Sequence, residues 1–315
     1  MAQKTSDKLL EDFCTWLQEQ DRSPLTVRGY ISALRQFSVW FRQTNGVDVE
    51  PARITPLDIK AYRQYLLVNR RLKPATVNHH LAALRALARW AERTGQVEHN
   101  PAQGIKLVQE VVAAPRWLMR SEQFSLLRKA RERVQLGDLR AQGQPDEPGY
   151  IWPRRDLALL VLLLNTGLRL AEVAALTLSD VVLKERSGAV TVRSGKGRKA
   201  RTVPLNHDAR KALQEWLDVR PAVSTGALWL SQKGGALSTR ALAARITMLA
   251  EQAGLEDVST HTLRHSFAKN LVDAGVSLEK VATLLGHDNL ETTRLYTTPS
   301  EADLQAATEQ VAWEA

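Results

Sequence analysis

The chain has 315 residues, a net charge of +9 and one cysteine, Cys14. That length supplies one large or two ordinary domains, and the lone cysteine excludes an intramolecular disulfide and a cysteine-rich zinc site, which fits a reducing cytoplasm. Met1 to Lys8 is polar and the longest apolar run, Leu157 to Leu164, is far too short to span a bilayer, so neither a secretory leader nor a membrane partner is expected.

Residues 1–107 read as all helix. Leu10, Phe13, Cys14 and Leu17 follow helical spacing. Ser23-Pro24 starts a second helix, with a capping side chain and proline at the first helical position. Val27, Tyr30, Ile31, Leu34, Phe37 and Phe41 form its apolar face. Thr55-Pro56 starts a third helix with Ile59, Tyr62 and Leu66 as its stripe, and Lys73-Pro74 precedes a fourth. The second and fourth helices match at a constant offset. Pro24 to Val27 aligns with Pro74 to Val77, Ala33-Leu34-Arg35 with Ala83-Leu84-Arg85, and Trp40 with Trp90. This reads as a duplicated helical pair. Independently arisen helix starts are the alternative, and the paired tryptophans count against it.

This segment holds 16 Lys and Arg against 10 Asp and Glu, most of the chain's excess charge. Such an asymmetry suits a polyanionic partner, nucleic acid above all, although a basic soluble protein would show the same balance. Arg22, Arg28, Arg70, Arg71 and Lys73 lie near helix ends, where phosphate contacts are often made. Each taken singly also reads as an ordinary solvated cation.

Val108 to Arg116 lacks a helical stripe and reads as an interdomain linker. A second domain then opens with a helix near Ser121. Residues 135–153, rich in Gly and Pro, are expected to form a surface loop. The Leu157–Leu164 helix is followed by Thr166-Gly167 and a short helix, Leu168 to Leu176. Val190–Arg193 and Arg201–Leu205 read as strands joined by the glycine turn Ser194 to Lys199. Residues 208–217, 239–253, 262–274 and 277–286 read as helices, and Ser300 caps a last one with Leu304, Ala307 and Val311 as a sparse stripe. That stripe fits docking on a neighbouring copy as well as packing in cis.

Five widely spaced basic residues stand ahead of a late tyrosine: Arg169, Lys196, His261, Arg264 and His287, then Tyr296. Arg169 follows a glycine turn, with Glu172 one helical turn on to hold its guanidinium. Lys196 lies at a hairpin tip between two glycines, with Arg198, Lys199 and Arg201 close by. His261 and Arg264 are one turn apart and can face one anion. His287 follows the helix-ending Gly286. Tyr296 lies in a polar segment, which predicts a reachable hydroxyl. Alone, each fits a solvated or structural residue; in this order they describe a phosphate grip with an oxygen nucleophile.

The motifs TGLRLAEV, HTLRH and LLGH with the late tyrosine resemble the tyrosine recombinases, the phage integrase family, in its compact Xer-like branch. The resemblance covers nearly the whole chain. It implies a mainly α fold: a helical, SAM-like core-binding domain at 1–107, a linker at 108–116, and an α-rich catalytic domain at 117–315 with a small β-hairpin and a tail helix. The two domains would close on DNA as a C-shaped clamp. The 135–153 loop is longer than compact members usually show.

By resemblance, Arg169 and Arg264 bind the scissile phosphate, helped by His261 and His287. Glu172 supports Arg169, Lys196 protonates the leaving oxygen, and Tyr296 is the nucleophile. Arg198, Lys199 and Arg201 join the DNA-contacting set. The implied activity is site-specific cleavage and rejoining of DNA through a 3′-phosphotyrosyl link, with no cofactor, ATP or metal. The implied partner is a double-stranded recombination site in bacterial cytoplasm, bound as a dimer per site and a homo-tetramer on two sites. A type IB topoisomerase and a non-catalytic DNA-binding regulator are the rival readings. The compact helical first domain and the short stretch after Tyr296 weigh against the first. Tyr296 itself, useless to a binder, weighs against the second.

Overall fold

The computed structural model describes residues 2–109, 115–142, 144, 147–193, 200–286, 291–296, 305, 308 and 309. It divides into two compact units, Met1–Ala113 and Ala114–Ala315.

The first unit is built from α1 (Ala2–Glu19), α2 (Pro24–Asn45), α3 (Pro56–Val68) and α4 (Pro74–Arg93). Each start after α1 has proline at its first positions, where the missing N–H costs nothing. The Ser23 hydroxyl accepts the Thr26 N–H at 3.1 Å, and Thr55 forms a reciprocal capping box with Asp58. The matched positions of α2 and α4 are buried in pairs: Val27 and Val77, Leu34 and Leu84, Trp40 and Trp90. Helix does not continue to residue 107 as expected. After Arg93 the chain runs as turns, bends and irregular segments, stitched down by side chains. Arg63 donates to the Lys106 carbonyl at 2.9 Å, and Asn78 exchanges bonds of 2.8 and 3.0 Å with the Val108 backbone. Val108, expected in the linker, is thereby fixed to the first unit.

The second unit holds α5 (Arg120–Ala141), α6 (Pro148–Thr166), α7 (Leu170–Ala175), β1 (Val181–Leu183), β2 (Gly188–Val192), β3 (Arg201–Pro204), α8 (His207–Val219), α9 (Thr239–Gln252), α10 (Thr260–Asp273), α11 (Leu278–Leu285) and α12 (Glu291–Arg294). The Leu157–Leu164 run of α6 is buried on every side, as an all-round apolar helix must be. It packs against α5, α8, α9 and α10. The sheet is antiparallel in the order β1-β2-β3, with Val190 opposite both Val181 and Val203. Strand β1 was not expected; three residues are too few to show a period.

The surface loop expected over 135–153 is largely helix. Helix α5 continues through Gly137 to Ala141, and α6 begins at Pro148 with Pro153 inside it. The breakers serve packing instead. Pro153 has no N–H to give the Gly149 carbonyl one turn back. A Cβ on Gly137 would stand 2.0 Å from that carbonyl oxygen, so glycine lets α5 and α6 approach there. Arg116, expected to end the linker, belongs to the second unit: it donates to the Glu256 carbonyl and pairs with Glu122. The expected tail helix from Ser300 lies outside the described residues apart from 305, 308 and 309.

Candidate active site

Two helices end on left-handed glycines and turn their carbonyls onto three arginines. Helix α6 ends at Gly167 (φ 59°), whose carbonyl accepts Arg264 Nη1 at 2.5 Å. Helix α11 ends at Gly286 (φ 65°). Next to it, the Leu285 carbonyl accepts Arg264 Nη2 at 2.8 Å, and the Gly286 carbonyl accepts Arg169 Nη2 at 3.1 Å. Carbonyls at helix C-termini carry the negative end of the macrodipole and suit buried cations. The glycines are also required by space. A Cβ at 167 would lie 2.5 Å from Phe267, and one at 286 would lie 2.8 Å from the Arg201 guanidinium.

Glu172 sits at the centre of this group. Its carboxylate takes the Arg169 backbone N–H at 2.8 Å and Arg169 Nη1 at 3.2 Å. The guanidinium of Arg201 forks onto it with two bonds of 2.8 Å, the strongest pairing geometry for these groups. Burial alone would raise the Glu172 carboxyl, but the Arg201 and Arg169 hydrogen bonds and charges hold it below the usual range. Arg264 is 4% exposed, and burial, with Arg169 beside it, pulls its pKa down to about 10. It stays protonated at neutral pH. Two of the three guanidinium groups pair with Glu172 while Arg264 is held by carbonyls, leaving two positive charges with no described counter-anion.

Helix α10 supplies the third part. Ser259 caps it in a box with Thr262, fixing His261, Arg264 and His265 on its first turns. His261 is exposed and Arg264 buried. The His265 Nδ1 meets the Tyr296 hydroxyl at 2.7 Å, with the rings 5.6 Å apart. Burial, together with His261 and Arg264, pushes His265 below its ordinary value, and burial pushes the Tyr296 phenol up against the opposing pull of Arg264.

Tyr296 corrects one expectation. Its segment is polar, yet the residue is 2% exposed. The ring inserts into a small cluster with Phe267, Ala268, Val281 and Leu285, and Thr293 is buried with it while Thr292 and Arg294 stay exposed.

Arg201 corrects another. Expected on the DNA face, it spends its guanidinium on Glu172 and approaches the Leu285 carbonyl at 3.4 Å. Strand alternation carried the signal: Arg201 shares the inward face with buried Val203, whereas Thr202 and Pro204 are exposed. His265 was also passed over. Its place four residues after His261 put it on the same helical face.

Arg22, Arg28, Arg70, Arg71 and Lys73 remain exposed. Gly29 of α2 lies against His79 of α4, so the starts of the two helices, with their flanking cations, occupy one end of the first unit. Lys196, Arg198, Lys199 and His287 lie outside the described residues. Among the described residues, no cluster of metal-ligating side chains occurs and no helix is long and apolar enough to cross a membrane.

Residues 149–303 match the phage integrase family, and residues 9–96 match the phage integrase N-terminal SAM-like domain. A tyrosine recombinase XerC of Haemophilus ducreyi is 43% identical over 155 residues, 48% of this chain and 49% of that protein. A tyrosine recombinase XerD of Corynebacterium glutamicum is 43% identical over 148 residues, 45% of this chain and 48% of that one. The matched segment thus spans about half the length of the curated relatives. The XerH site-specific recombinase bound to difH substrate in a pre-cleavage complex aligns with a TM-score of 0.70 at 25% identity, over 97% of this chain and 84% of that one. The Tn1549 transposon integrase in complex with transposon right end DNA shares the fold, with a TM-score of 0.70 at 18% identity over 96% of this chain and 99% of that one. With both of its units matched, the chain belongs to the phage integrase family of tyrosine recombinases.

Proposed function

We propose that this protein is a site-specific DNA recombinase that cleaves and rejoins strands through a 3′-phosphotyrosyl intermediate. The observation that carries the reading is the charge balance around Glu172. Arg169, Arg201 and Arg264 exceed it by two charges, which matches the dianionic phosphorane formed when an oxygen attacks a phosphodiester. Donors fixed in advance around developing charge usually supply most of the acceleration in such catalysis.

In this reading Arg169 and Arg264 hold the scissile phosphate, with His261 and His287 beside them. Glu172 sets Arg169, and Arg201 completes its pairing. Tyr296 attacks phosphorus, and Lys196 gives a proton to the departing 5′ oxygen. Energy stays in the phosphotyrosyl bond, so rejoining needs neither ATP nor metal. Tyr296 is 2% exposed, so the reading requires DNA binding to uncover its hydroxyl. The cations of the first unit, with Arg198 and Lys199, contact phosphates of the recombination site. Two copies occupy one site and four join two sites, in bacterial cytoplasm.

The test uses the full chain and a library of nicked random-sequence duplexes, from which the short piece bearing the freed 5′ hydroxyl escapes after cleavage. Denaturant-resistant protein–DNA adducts are expected with the wild type and absent with Tyr296→Phe. No adduct across the library overturns the enzymatic reading and leaves a DNA-binding regulator. Adducts without strand exchange between two recovered sites leave a topoisomerase.

A further inference from the structure

We propose that His265 positions the Tyr296 phenol and accepts its proton as attack begins, an inference that rests on the assignment of Tyr296 as nucleophile. A phenol titrates near pH 10 in water, and burial of Tyr296 moves it further from the ionised form. Attack at neutral pH therefore needs a base at the hydroxyl. Among the described residues, His265 Nδ1 is the group bonded to it, at 2.7 Å, inside the range for general-base transfer. The Tyr296 ring is held by Phe267, Val281 and Leu285, which limits where its oxygen can go.

The base and the phosphate grip share one rigid element. His265 follows Arg264 directly on α10, and Arg264 is clamped by the carbonyls of Gly167 and Leu285. Burial, with His261 and Arg264 nearby, favours the neutral imidazole, and in this proposal Nδ1 carries the lone pair and Nε2 the proton. In the forward step the phenol O–H bond breaks and its proton passes to Nδ1. The oxygen's electron pair forms the bond to phosphorus, the bond from phosphorus to the 5′ oxygen breaks, and that oxygen takes a proton from Lys196. On rejoining, the His265 imidazolium returns the proton to the phenolate. Exposed His261 has no described bond to the hydroxyl.

A second buried pair provides the control. Tyr62 meets His80 Nδ1 at 3.1 Å within the first unit's core, where no phosphate grip is proposed.

The experiment measures single-turnover adduct formation on duplexes recovered from the nicked library, with duplex affinity measured alongside. His265→Ala is expected to bind DNA as the wild type does and to form adduct about 100-fold more slowly, within the usual range for a lost general base. Added imidazole is expected to restore part of that rate, which a structural role would not allow. His265→Gln, which can accept the hydroxyl but not keep its proton, is the second variant should the first fail to fold; it too is expected to be slow. His80→Ala is expected to lower thermal stability without an imidazole-dependent rate. A wild-type or faster rate in His265→Ala, full activity in His265→Gln, or a slow His265→Ala that imidazole does not rescue overturns the proposal. If Tyr296→Phe still forms adduct, the assignment of the nucleophile fails instead.

Discussion

Glu172 is the residue on which the site's electrostatics turn, because among the described residues it is the one carboxylate paired with Arg169 and Arg201. Replacing it by glutamine leaves clustered guanidinium groups with no counter-charge among the described residues. Loss of about 3 kcal/mol is expected, the lower end of the range for breaking a buried pair, since the site is partly open. The pH dependence follows from the lowered carboxyl. A folded value below the unfolded one, about 4.3, gives stabilisation that is full above the unfolded value and lost as pH falls through the folded one. Chemical denaturation between about pH 5 and pH 3 should therefore show a loss in wild type that Glu172→Gln lacks; parallel curves would contradict it. At this scale, the Arg169–Glu172 pair was legible because its members are three apart on one helix. The Arg201 partnership was not. Its strand is remote in sequence from Glu172, and a basic residue after a glycine turn reads locally as solvated. Tyr296 misled for the related reason that polar neighbours do not reveal where a ring points.

Glycines do different work at element level, and substitutions separate them. Alanine at Gly137 meets the Gly149 carbonyl at 2.0 Å, so α5 and α6 must move apart. A cost of about 1–3 kcal/mol is expected, as for other overpacked cores. Alanine at Gly149, with nothing within 4 Å, should be neutral or gain up to about 1 kcal/mol in its helix. Thermal melts of the two variants test the pair; equal melting temperatures would refute the close approach. Alanine at Gly167 combines a positive φ with a 2.5 Å clash against Phe267. It should displace the carbonyl that holds Arg264, lowering adduct formation along with stability. Helix starts were legible because caps and N1 prolines act within four residues. The 135–153 segment was misread because Gly and Pro break isolated helices, whereas here the packing of α5 on α6 decides their use. Strand β1 exists through its pairing with β2, which no local pattern announces.

For the whole molecule, the charge asymmetry between the units was legible by counting, and it yields a binding prediction. Arg70, Arg71 and Lys73 are exposed beside the start of α4. Replacing all three by alanine should weaken duplex binding and flatten the dependence of log affinity on log salt by about 0.9 for each phosphate no longer neutralised. The rate of adduct formation on saturated DNA should stay within about twofold, because cations that grip the backbone position the duplex rather than perform the chemistry. An unchanged salt slope would place the DNA-contacting surface elsewhere. The central claim is that Tyr296 joins DNA covalently, and peptide mass spectrometry of the adduct trapped on nicked duplexes tests it directly. The expected result is a 3′-phosphonucleotide on the peptide containing Tyr296 and on that residue alone. A nucleotide on any other side chain, or none on a chain that still cuts DNA, would contradict it.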